Sequence, residues 1–155
     1  MHIGDDGIEL IASFEKCRLK AYDDGYGVWT IGYGHTKGVR PGMVISQEEA
    51  EELFREDLEE FEGYVLQTIT ETPTQNEFDA MVSLTFNIGP GGFARSSVAR
   101  FFNLGEYKRA ANAFLLWNKA TNRKTGVLEV SNGLVRRRNA EKFLFLDDPS
   151  WRDYL

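Results

Sequence analysis

Three residues near the N-terminus have the types and spacing to do acid–base chemistry: Glu15, Asp24 and Thr30. Hydrolysis of a glycosidic bond needs one carboxylic acid that donates a proton to the leaving oxygen. It also needs a second group that manages water or the developing positive charge. Asp5 and Asp6 precede Ile8, Leu10, Ile11 and Phe14, a spacing that predicts a short helix ending near Lys16 to Arg18. Glu15 falls in its last turn, where the helix dipole disfavours a negative charge, so it suits the acid. Asp24 lies in a polar turn, where a carboxylate stays ionised, and the Thr30 hydroxyl is able to orient a water. Taken singly, each has a plainer reading: a surface glutamate, a turn aspartate before glycine, and a threonine filling a strand.

These residues must be positioned by the elements around them. From Tyr22 to His35 aromatic and β-branched residues alternate with glycines around an Asp24-Gly25 turn signal, which predicts a small antiparallel sheet. The spacing of Gly32, Gly34 and Gly38 fits neither the dinucleotide fingerprint nor a phosphate loop. Ser46 and Glu49 form a capping box. The apolar stripe Ala50, Leu53, Phe54, Leu58, Phe61, Val65 then predicts one helix over about 46–70, on the order of 35 Å long, bridging two lobes. Thr74 and Glu77 open another helix that breaks at Gly89-Pro90. Further helices are expected from Ser96 or Ser97 through Phe102, from Tyr107 to Trp117 and, beyond a polar loop, from Gly133 to Phe145.

Composition narrows the function classes. Cys17 is the only cysteine, so no internal disulfide forms, and two histidines, His2 and His35, supply no zinc site; no metal or cofactor is expected. No apolar run approaches the roughly 20 residues that span a bilayer, and the N-terminus lacks a signal-peptide layout. The net charge of −6 argues against nucleic acid. Residues 1–80 carry 18 acidic and 6 basic side chains, and residues 81–155 carry 6 and 12. Two readings fit this asymmetry: solvated helix faces, or an acidic wall facing a basic one across a cleft.

The run Phe14-Glu15, Leu19-Lys20-Ala21-Tyr22, Asp24 and Trp29-Thr30-Ile31-Gly32-Tyr33-Gly34-His35 closely resembles the phage lysozyme (endolysin) family, glycoside hydrolase family 24. The family pattern of Glu, eight residues, Asp, five residues, Thr fits Glu15, Asp24 and Thr30 without a gap. The similarity continues through Gln75–Ala80, Phe86-Asn87-Ile88-Gly89, Phe93, Trp117 and Gly133–Arg138; Ser96-Ser97 match the family's Ser-Thr pair only in part. The resemblance implies an α+β, mostly helical, lysozyme-like fold forming a single catalytic domain over 1–155. Its parts would be a small lobe with a three-stranded antiparallel sheet (about 16–60), a connecting helix (about 46–70) and a helical C-terminal lobe (about 71–155) against which the first helix (5–16) packs.

It further implies a muramidase that cuts the β-1,4 bond between N-acetylmuramic acid and N-acetylglucosamine with inversion. Glu15 would be the acid, and Asp24 with Thr30 would hold the attacking water. A family arginine pairs with the catalytic Glu, which points to Arg137 or its neighbour Arg136. Gly34, Phe86 and Asn87 are candidates for substrate binding or support, and His35 for a structural hydrogen bond rather than a catalytic base. The expected partner is peptidoglycan, met by a monomer without membrane insertion. The enzyme would be made soluble in the host cytoplasm and act in the periplasm after release by a holin-type permeabiliser. The absence of length for a wall-binding module favours a thin Gram-negative wall. The acidic net charge departs from many basic family members, so attraction to the wall would rest on the C-terminal half. Two other readings are a lytic transglycosylase and a non-catalytic peptidoglycan-binding module on the same fold.

Overall fold

A computed structural model describes the whole chain, residues 1–155. Helix α1 (Asp5–Phe14) starts from an extended Gly4 with Asp5 and Asp6 in its first turn and buries Gly7, Leu10 and Ile11. It stops earlier than the basic run suggests. Glu15 is the C-cap, extended at φ −102° and ψ 136°, and its N–H donates to the Ile11 carbonyl. Arg18 already belongs to the next strand, so the expected basic last turn does not exist.

Strand β1 (Arg18–Asp23) pairs antiparallel with β2 (Trp29–Gly32), matching Tyr22 to Thr30 and Asp23 to Trp29, with an irregularity between Arg18 and Tyr22. The third strand of the expected sheet is reduced to a single bridge, Lys20 to Val44, carried by bonds from Ala21 N–H to Met43 and from Ile45 N–H to Leu19. Gly42 turns the chain at φ +84° just before this segment, and Ser46 caps a helix just after it, so only Met43–Ile45 has room to pair.

Helix α2 (Gln47–Thr68) has both halves of the Ser46/Glu49 capping box. It contributes to two separate cores. Ala50 packs with Ala21, Ile31 and Ile45 beside the hairpin, whereas Phe54, Leu58 and Val65 join the larger core. Helix α3 (Gln75–Ile88), capped by Thr74 and Glu77, runs through that larger core and buries Phe78, Met81, Val82 and Leu84 completely. Short helices α4 (Pro90–Arg95), α5 (Ser97–Asn103) and α6 (Tyr107–Ala113) follow, with Ser96 as the N-cap of α5.

After a 3₁₀ turn (Phe114–Leu116) comes a second hairpin, β3 (Lys119–Thr121) and β4 (Leu128–Val130), where the sequence predicts only a polar loop. Every residue of both strands is exposed, so no alternation of apolar and polar residues marks them. Helix α7 (Asn132–Phe145), capped by Ser131, packs on α3, and a terminal 3₁₀ segment (Pro149–Tyr154) closes the chain with Trp151 buried.

Candidate active site

Because α1 ends at Phe14, the Glu15 side chain leaves the helix at its cap and meets α7. Arg137 Nη1 donates to Glu15 Oε1 at 2.9 Å, and no other hydrogen bond from the protein reaches that carboxylate. The arginine side chain is 4% exposed and the glutamate 28%, so one oxygen is clamped from the protein side while the other remains open. Arg136, the neighbour the sequence leaves as an alternative, is exposed; its guanidinium lies 5.5 Å from the Phe14 ring.

Arg137 is itself held from behind. Its Nε lies 3.4 Å from Glu141 Oε2 and its Nη2 3.4 Å from the Ser83 carbonyl, while the Ser83 hydroxyl donates to the same Glu141 oxygen at 2.5 Å. Arg138, fully buried, donates to Asn87 Oδ1 and sits 3.1 Å from Glu141 Oε1. That last approach is a charge pairing without hydrogen-bond alignment, since Arg138 Nε and Nη1 and Glu141 Oε1 all lack a hydrogen-bond partner. Burial lowers the Arg138 pKa, Glu141 raises it, and Arg137 lowers it again. Asn87, expected as a sugar contact, thus spends its carbonyl oxygen on Arg138.

Asp24 and Thr30 are joined through one peptide unit. Asp24 N–H and Thr30 Oγ1 both donate to the Val28 carbonyl, at 3.0 and 3.2 Å, while Val28 N–H donates at 3.1 Å to Asp24 Oδ1, which also accepts from Tyr26 N–H at 2.8 Å. Asp23 Oδ1 organises the same turn by accepting from Gly25 and Gly27, both at positive φ. The loop therefore fixes Asp24 by one oxygen and leaves Oδ2 without a protein partner. Thr30 is buried in β2, with its hydroxyl proton directed to Val28.

A cavity of about 510 Å³ opens beside Glu15, lined by Lys16, Asn87, Ser131, Gly133, Arg136 and Arg137 among others. A second, of about 300 Å³, is lined by Gly34, Lys37, Asp57, Glu60 and Phe86. His35 has no nitrogen left for base chemistry. Its Nδ1 is 2.9 Å from Asp57 Oδ2 and its Nε2 2.9 Å from the Lys37 carbonyl.

Residues 12–141 match the family model described as phage lysozyme. The chain belongs to the phage lysozyme family. It is 43% identical over 145 residues to the endolysin of Acyrthosiphon pisum secondary endosymbiont phage 1, covering 94% of the chain and 98% of that protein. It is also 43% identical to the endolysin of Bacillus phage B103 over 97% of the chain but spans only 56% of that relative. Among solved structures, the muramidase domain of SpmX from Asticaccaulis excentricus superposes with a TM-score of 0.86 at 42% identity, covering 94% of the chain and 99% of that domain. As a phage lysozyme the chain is a glycoside hydrolase, and its mostly helical architecture with small antiparallel sheets is the lysozyme fold.

Around the candidate site lie further residues that sequence reasoning does not find. Glu141 lies in a charged stretch that reads as helix surface, Ser83 is a lone hydroxyl within the apolar run Ala80–Leu84 that reads as core filler, and Asp57 sits within an acidic run. Only tertiary packing reveals that Glu141 is fully buried and that Asp57 faces a histidine.

Proposed function

We propose that this lysozyme hydrolyses the β-1,4 bond between N-acetylmuramic acid and N-acetylglucosamine of peptidoglycan in one displacement, inverting the anomeric carbon. The observation that carries the reading is the half-clamped Glu15. Arg137 holds Oε1, and Oε2 is open to hold a proton and deliver it to the glycosidic oxygen as the C1–O bond breaks. A water on the opposite face would donate one hydrogen bond to the free Oδ2 of Asp24 and the other to a Thr30 lone pair, since the Thr30 proton is already spent on Val28. As water attacks C1, its proton passes to Asp24, and solvent exchange returns Asp24 and Glu15 to their starting states.

The glycan would lie between the hairpin core and the larger helical core, with Gly34 and Phe86 on one side and Arg136 on the other. A monomer suffices for this arrangement, because every group named comes from one chain. No helix is long and apolar enough to cross a membrane. We assign passage to the wall from the cytoplasm to a separate holin-type permeabiliser, with action in the periplasm.

Mass spectrometry of the products from purified peptidoglycan tests the reaction. Saturated muropeptides with reducing N-acetylmuramic ends, α-configured when first observed by NMR, are the expected result. Anhydromuramic products would establish a lytic transglycosylase instead, and binding without cleavage a non-catalytic module.

A further inference from the structure

We infer that Glu141 is a positioning residue for the reaction: through Arg137 it balances the charge behind Glu15 and so lets Glu15 take up the proton it must donate. The inference rests on Glu15 being the general acid. Arg137 and Arg138 bring two positive charges into the protein side of the site, at 4% and 0% side-chain exposure. Against them stand one fully buried carboxylate, Glu141, and the partly exposed Glu15. With Glu15 ionised the four charges cancel. With Glu15 protonated the group carries one net positive charge, and it would carry two if Glu141 were absent. An excess of positive charge behind a carboxylate favours its ionised form, so without Glu141 the acid would lose its proton at lower pH.

Glu141 also fixes where Arg137 points. Its Oε2 accepts from Ser83 Oγ at 2.5 Å and lies 3.4 Å from Arg137 Nε, so the guanidinium stays anchored whether or not Glu15 is charged. Lys16, following α1, and Arg136, on α7, line the cavity with Glu15. Helix α3 offers the uncharged Ser83 and Asn87. In the terminal 3₁₀ segment Arg152 is engaged by Asp6 and Glu9, and near α6 Arg109 is engaged by Glu106.

The test is the pH profile of kcat on purified peptidoglycan for wild type, Glu141→Gln, Ser83→Ala and the double variant Glu141→Gln/Arg138→Met. Glu141→Gln should move the alkaline limb to lower pH by roughly one unit and reduce kcat at neutral pH, with KM little changed. Ser83→Ala should move it in the same direction by less. The double variant, which removes one charge of each sign, should bring the limb back towards wild type; a structural defect alone would not be repaired by a second core substitution. A folded Glu141→Gln with an unmoved limb, or a double variant that shifts as far as the single one, overturns the inference. If Glu141→Gln does not fold, the Ser83→Ala and double-variant profiles decide in the same terms. Glu15→Gln, run alongside, separates the two claims: full activity there removes the general acid itself, whereas an inactive Glu15→Gln with an unshifted Glu141→Gln removes only the role of Glu141.

Discussion

Glu15 and Arg137 are separated by 122 positions in the chain and meet at 2.9 Å. The contact joins the end of the first helix to the middle of the last one. The environment of Glu15 is thus a product of tertiary packing, with Arg137 bonded on its other side to Glu141 and to the Ser83 carbonyl.

Arg137 and Arg136 should therefore behave differently under substitution. Arg137→Met removes one of the two arginines that face the buried Glu141, leaving Arg138 and the Ser83 hydroxyl as its partners, and should cost about 1–3 kcal/mol of stability together with most of the activity. Arg136→Ala, at an exposed position, should change stability by less than about 0.5 kcal/mol. Urea unfolding of the two variants, with activity measured in parallel, distinguishes them.

The pair His35–Asp57 predicts a loss of stability rather than of chemistry. Asp57→Asn removes the charged partner of a histidine whose other nitrogen is already committed to Lys37. Unfolding should become easier by about 1–3 kcal/mol, while kcat per folded molecule stays near wild type. A collapse of kcat in a fully folded variant would instead place His35 in the chemistry.

Asp79 sets a pH dependence of stability. It accepts from Gly4 and Gly7 N–H and from Gln75, yet burial outweighs these bonds and raises its pKa. The folded state thus holds the proton more tightly than the unfolded chain. Its favourable contribution is complete below the unfolded value of about 3.9 and is lost as pH rises through the folded value. The unfolding free energy of wild type minus that of Asp79→Asn should accordingly fall from pH 4 towards neutrality in urea titrations; a difference that grows with pH would contradict this.

Gly7 is constrained by the same contact. A methyl group there would meet Asp79 Cβ and Ile3 Cγ1 at 2.7 Å, with no flexible chain end to yield. Gly7→Ala should lose about 1–3 kcal/mol, measured as a lower urea midpoint at unchanged slope.

What was legible in the sequence is what local chemistry specifies. Ser46 with Glu49 and Thr74 with Glu77 mark helix starts because a cap is a contact three residues long. The spacing of Glu15, Asp24 and Thr30 is equally local and carried the family resemblance. The second hairpin was hidden because a ribbon exposed on both faces has no apolar alternation. Glu141, Glu62 and Asp79 were hidden for a related reason. Glu141 and Glu62 sit among charges that read as solvated helix faces and Asp79 is a lone carboxylate between Phe78 and Ala80, and their burial depends on partners 58, 59 and 75 positions away. The opposite charges of the two halves do meet, in the Glu15–Arg137 pair and in the bonds from Arg152 to Asp6 and Glu9.

The most direct test of Glu15 as the acid is cleavage of purified Gram-negative peptidoglycan by wild type and Glu15→Gln at equal concentrations, each shown to be folded by its unfolding transition. Glutamine keeps the size and an oxygen for Arg137 but has no proton of carboxylic acidity to give. The rate of release of reducing ends should fall at least about a hundredfold. A folded Glu15→Gln that cleaves at the wild-type rate would contradict the assignment.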